Sequence, residues 1–164
     1  MLELRPMPYN EAIDFFKKRT VMTPSEFETV TAGANNAAKA RAFTISGVAR
    51  MDVLNDVYNS IEKAIANGET FGDFRNRIDD IMVNRGWEGL TPHHLDNIFR
   101  TNIQTSYMAG RHEQMKRISK RRPFWQYDAV NDSRTRPTHA EMDGKVYPHD
   151  HPFWKTWYPP NGYR

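Results

Sequence analysis

Residues 91–127 read TPHHLDNIFRTNIQTSYMAGRHEQMKRISKRRPFWQY, and the change of pattern inside them decides the fold. Thr91-Pro92 is a helix start, a hydroxyl cap followed by proline at the first helical position, where its missing N–H costs nothing. Leu95, Ile98, Phe99, Ile103, Tyr107, Met115 and Ile118 then recur at helical spacing, which predicts one long helix with these side chains toward a core. Pro123 forbids its continuation. Beyond it, Phe124 to Val130 alternates and is rich in aromatics, predicting a strand with Trp125, Tyr127 and Ala129 on one face. The reading is therefore α+β and mainly α: a helical part over 1–122, then a small β-containing aromatic lobe over 123–164 of the same domain.

Upstream, Pro6 and Pro8 predict a short extended arm over residues 1–10. A short helix follows from Asn10, with Ile13, Phe15 and Phe16 as its apolar residues and Lys17, Lys18 and Arg19 near its negative C-terminal end. Thr23-Pro24-Ser25-Glu26 is a second start, with the glutamate placed to reach back to the cap. Phe27, Val30, Ala34, Ala37 and Ala38, then Ile45, Val48, Met51, Leu54, Tyr58, Ile61 and Ile65, form a stripe expected on two helices or one bent one. The bend or break falls at Thr44-Ile45-Ser46-Gly47, whose residues are poor helix formers, and Asn67-Gly68 ends the run as a left-handed cap. Thr70-Phe71-Gly72-Asp73 starts a further short helix that stops at Arg85-Gly86.

Downstream, Asp143-Gly144 is a turn leading into Lys145-Val146-Tyr147, so an antiparallel ribbon pairs this run with Phe124 to Val130. From Pro148, His149, His151, Phe153, Trp154, Trp157 and Tyr158 are expected to wrap over the ribbon as irregular structure. The 164 residues suit one domain. No cysteine is present, which excludes a disulfide framework and a thiolate nucleophile among them. Neither a secretory pattern at Met1 to Phe16 nor an apolar window of spanning length is found, so a soluble cytosolic product is expected.

Net charge is only +3, but its distribution is uneven. Residues 50–99 hold five basic and nine acidic side chains, 5 − 9 = −4, whereas residues 100–136 hold nine and three, 9 − 3 = +6. Arg111, Lys116, Arg117, Lys120, Arg121 and Arg122, with Arg100 earlier on the helix, could contact DNA phosphates or an acidic protein surface, with Phe124, Trp125 and Tyr127 available for stacking. Compensation of the helix dipole explains the same cations without a ligand. The densest polar run is Asn131 to His139, followed by Glu141, Asp143 and Gly144. As a metal-dependent nuclease or other hydrolase it would use Asp132 or His139 as base, Arg134 or Arg136 for charge, and His149 or His151 in support. As scaffolding, Asp132 and Thr138 cap turns while Arg134 and Arg136 pair with Glu141 and Asp143. His139, His149 and His151 could hold zinc, although their spacing matches no strong zinc signature. His93, His94 and His112 read as surface or helix-start residues.

Several blocks along the chain carry a resemblance. Ile98-Phe99-Arg100-Thr101-Asn102, Tyr107-Met108-Ala109-Gly110-Arg111 and Pro123-Phe124-Trp125-Gln126-Tyr127 stand in order before Asp132-Ser133-Arg134-Thr135-Arg136-Pro137-Thr138-His139, Asp143-Gly144-Lys145-Val146, Pro152-Phe153-Trp154 and Pro159-Pro160-Asn161-Gly162. With Ala42 to Gly47 and Asn67 to Phe71 upstream, this resembles the Mu F-like family of phage minor head, or head morphogenesis, proteins. The motif positions are Arg100, Asp132, Arg134, Arg136, His139, Asp143 and Gly144. The resemblance implies a non-enzymatic virion protein of the capsid that acts in the host cytoplasm during head assembly, with the portal, scaffold and other head proteins as partners and packaged DNA as a further contact. It also implies that a short cysteine-containing motif follows in the family. A zinc site drawing on those cysteines and His139 would be incomplete within these 164 residues.

Overall fold

A computed structural model of the chain describes residues 9–34, 39 and 41–159. The element order is α1 (Asn10–Lys17), β1 (Thr20–Val21), α2 (Pro24–Thr31), β2 (Ala42–Phe43), α3 (Met51–Asn67), α4 (Phe71–Arg85), α5 (Pro92–Arg117), β3 (Phe124–Gln126), α6 (Pro137–Met142), β4 (Val146–Pro148) and α7 (Phe153–Trp157). The architecture is mainly α with a small antiparallel pair near the C-terminus, as the sequence reading expects. Residues 1–8 of the expected arm, Ala37, Ala38 and Pro160 to Gly162 lie outside the described residues.

The capping signals act as read. Thr23 accepts from the Glu26 N–H and receives the Glu26 carboxylate on its own N–H, and Thr70 and Asp73 repeat the arrangement at α4. Gly68 and Gly86 close α3 and α4 at φ +64° and +57°, a region that costs other residues a Cβ clash.

The run from Phe27 to Ile65 takes the two-helix form, with Thr44 to Gly47 outside both helices, but the non-helical part reaches beyond those four residues. α2 ends at Thr31, and Ala42–Phe43 pairs in parallel with Thr20–Val21, register Thr20↔Ala42 and Val21↔Phe43. Phe43, Ile45 and Val48 are buried, but on extended and turn backbone, and α3 begins only at Met51. The β-branched Thr44 and Ile45 and the turn at Gly47 disfavour helix here, and the Arg19 guanidinium donates to the Ala42 carbonyl at 3.1 Å beside the new pair. Val30, counted on the stripe, is 67% exposed.

Contacts group the chain into two compact units, residues up to Gly110 and residues from Arg111 onward. In the first, α1, α3, α4 and the start of α5 enclose Phe16, Phe43, Leu54, Ile61, Phe74 and Leu95. Phe16 stacks on Tyr58 at 4.7 Å and Phe74 packs on Phe99 at 5.1 Å. Gly110 lies so near α1 that an added Cβ would stand 2.8 Å from the Ala12 nitrogen.

In the second unit, Trp125, Tyr127 and Trp154 are buried, surrounded by Met115, Tyr147, Phe153, Trp157 and Tyr158. β3 and β4 pair antiparallel through Phe124↔Pro148, Trp125↔Tyr147 and Gln126↔Val146. Three expectations are corrected here. The regular helix stops at Arg117 and leaves Ile118 45% exposed, because turns carry the chain to Pro123. The strand ends at Gln126, short of Val130. The tail is not wholly irregular: Pro152 leads into α7, whose Trp154 indole donates to the Pro148 carbonyl at 2.9 Å.

Candidate functional site

The motif run folds as a loop pinned at both ends. Asp132 accepts from the Arg134 N–H at 2.9 Å and from the Thr135 hydroxyl at 3.2 Å, while Thr135 accepts from the Asp132 N–H at 3.0 Å. This local turn is the capping role expected of Asp132. Asn131 before it takes φ +54°, a left-handed conformation that asparagine tolerates. Its side-chain amide donates to Asp143 at 2.6 Å, and the Ala129 N–H donates to the other Asp143 oxygen at 2.8 Å. Those bonds, the Ala129 N–H foremost, hold the Asp143 carboxyl below its ordinary pKa. Gly144, at φ +74°, then donates its N–H to the Tyr127 carbonyl at 2.9 Å and delivers the chain into β4.

The expected pairing of Arg134 and Arg136 with Glu141 and Asp143 is not found among the described residues. Asp143 is occupied by Ala129 and Asn131, and both arginines are exposed.

His139 sits on α6, which begins at Pro137. Its Nδ1 shares a 2.7 Å hydrogen bond with the Tyr127 hydroxyl, and its ring meets Trp157 edge to face at 5.5 Å. His151 turns its Nδ1 onto the Phe153 N–H at 3.1 Å and stacks on Tyr147 at 4.7 Å, while His149 lies 6.0 Å from the Trp125 ring. The three histidines are thus distributed around the aromatic core. Among the described residues, no group of three or more His, Asp or Glu side chains is placed to hold a metal ion.

His112, read from sequence as a surface residue, is half-buried between Trp125 at 5.6 Å and Tyr158 at 4.5 Å. Burial lowers its pKa, Lys116 lowers it further, and Glu113 opposes them. The cations Arg111, Lys116, Arg117, Lys120, Arg121 and Arg122 are all exposed. Arg100, on the first unit, holds Asp96 at 2.8 Å, four residues back on the same helix.

Comparison with known proteins gives this arrangement a family. The family described as Phage Mu protein F like protein matches residues 55–164. Protein F of Escherichia phage Mu, whose name assigns it provisionally to capsid assembly, is 34% identical over 96% of the chain. The chain belongs to the Mu F-like family. The Mu-like prophage FluMu F protein of Haemophilus influenzae is 37% identical over 76% of the chain. The alignments cover 38% and 33% of these two relatives, so the chain spans little more than a third of their length. No solved structure gives a significant match.

In this Mu F-like chain the matched region includes the whole motif loop and the aromatic core it packs on. Sequence reasoning missed two features of that loop. α6 was hidden because Pro137 reads equally as a turn residue, and the Tyr127–His139 bond joins residues whose twelve-residue spacing carries no periodic signal. The His112 packing was legible in principle: His112 lies three residues from Met115 on the same helix, and both face the aromatic core. No helix among the described residues is long and apolar enough to cross a membrane.

Proposed function

We propose that this chain is a contact module of phage head assembly, engaging the portal, scaffold or other head proteins in the host cytoplasm and residing afterwards in the virion. The observation that carries the reading is family membership across the motif loop. The geometry supports a contact role in preference to turnover. Both Asp143 oxygens, one Asp132 oxygen and the His139 Nδ1 are held by neighbours within the loop or by Tyr127, which favours a fixed platform. The first unit supplies helix surface for protein partners, and the exposed cations from Arg111 to Arg122 face acidic protein or packaged DNA. On this reading the chain is not an enzyme and uses no cofactor.

The test is a pull-down with portal protein, using both this chain and a full-length family relative. Retention of both on the portal resin, weakened when Lys120, Arg121 and Arg122 are changed to glutamate, is the expected result. Absence of retention for both overturns the portal contact. Incubation with plasmid DNA and divalent metal ions checks the hydrolase alternative: cleavage that disappears in the His139→Ala variant would displace the assembly reading.

A further inference from the structure

Two surface features are left unused by the cores. On the first unit, the end of α4 and the turn after it form an open hollow of about 660 Å³ lined by Asp79, Met82, Val83, Gly86, Trp87 and Glu88. Its apolar side is open: Val83 is 81% exposed, and Met82 and Trp87 are only partly covered. Its rim is acidic. Glu88 is exposed, and Asp79, 53% exposed, is paired with Arg75 at 3.6 Å.

On the second unit, the turns after α5 present the reverse pattern. Ile118, 45% exposed, is flanked by Lys116, Arg117, Lys120 and Arg121, and Phe124 beyond them is 63% exposed. Among the described residues no carboxylate lies within ion-pair distance of Lys120 or Arg121, whereas Lys116 reaches Glu113 at 4.0 Å.

We propose that the acid-rimmed hollow of one copy receives the basic segment around Ile118 of a second copy. The complementarity is double, apolar side chain against apolar floor and cations against carboxylates, and both halves are carried by the same chain. Phosphate does not fit the hollow, since its rim would repel an anion, and a nucleic-acid backbone would leave Ile118 in water. Because the two surfaces differ, the contact is heterologous and joins copies head to tail. This inference shares Lys120 and Arg121 with the portal contact proposed above, but its test uses no head protein and reads the Asp79 and Glu88 surface as well, so the two readings fail separately.

Sedimentation velocity and light scattering of the purified chain, at concentrations up to about 1 mM, read the association directly. The expected result is concentration-dependent self-association that weakens as salt rises from about 0.05 M to about 0.5 M. The double variants Lys120→Glu/Arg121→Glu and Asp79→Lys/Glu88→Lys each change only exposed residues and each weaken association on the order of tenfold. An equimolar mixture of the two restores it, because each then offers the other a matched pair of surfaces. A wild-type chain that stays monomeric throughout overturns the proposal, as does association indifferent to both charge reversals. Failure of the mixture to recover does so too. A duplex oligonucleotide captured by a chain that remains monomeric overturns it in favour of phosphate as the partner of the basic segment.

Discussion

Asp143 is the residue on which the motif loop closes, since one carboxylate ties Ala129 and Asn131 to the end of α6. Its folded pKa is depressed, so its contribution is fully present above the unfolded value of about 3.9 and is lost as pH falls through the lower folded value. Asp143→Asn removes that dependence. The drop in thermal midpoint between about pH 6 and pH 3, followed by circular dichroism, is expected to be smaller in the variant than in the wild type. An unchanged drop would show that the carboxylate does not hold the loop. At this scale the sequence was partly legible. Asp132 capping its own turn follows from residue type and spacing alone, whereas the choice of Asn131, rather than an arginine, as the partner of Asp143 depends on a left-handed backbone at 131. Side-chain pairing across a loop is settled by backbone geometry that composition does not encode.

Elements follow their own logic of caps and close approaches. Thr23, Thr70, Gly68 and Gly86 marked helix ends correctly because a cap is a local interaction, complete within four residues. The break at Thr44 to Gly47 was legible from poor helix formers, but its extent was not, because apolar spacing reports burial and not backbone conformation: Phe43, Ile45 and Val48 are buried as a helix would bury them, but on a strand and a turn. Gly110 shows what a helix–helix contact demands. In Gly110→Ala the new methyl meets Ala12 N at 2.8 Å and Glu11 C at 3.1 Å, backbone atoms that cannot swing aside. The expected cost is about 1–3 kcal/mol in denaturant unfolding despite the higher helix propensity of alanine. Gly72→Ala meets only the Thr70 hydroxyl at 3.6 Å and is expected to be neutral or stabilising by up to about 1 kcal/mol. Equal effects at the two sites would contradict the close approach of α5 to α1.

For the whole molecule, what matters is which apolar residues reach a core. Ile61 and Val30 lie on the same sequence stripe, yet Ile61 is fully buried and Val30 is 67% exposed. Ile61→Ala is expected to cost about 2–5 kcal/mol, and Val30→Ala to stay within about 0.5 kcal/mol, both read from chemical denaturation midpoints. A large loss at Val30 would mean that this face is covered in solution. The mainly α character and the aromatic ribbon were legible across the chain, because long periodic runs and a proline-bounded aromatic cluster are strong signals. The way β3 finds β4 was not, and it bears on how the chain reaches its native state. Between Gln126 and Val146 there are 146 − 126 − 1 = 19 residues, where a tight hairpin would have two. Closing the longer segment costs roughly 2 kcal/mol more in chain entropy. Nascent ribbon contacts are therefore expected to be weak, so that in refolding the near-ultraviolet signal of the tryptophan cluster around Trp125 recovers after the far-ultraviolet helical signal.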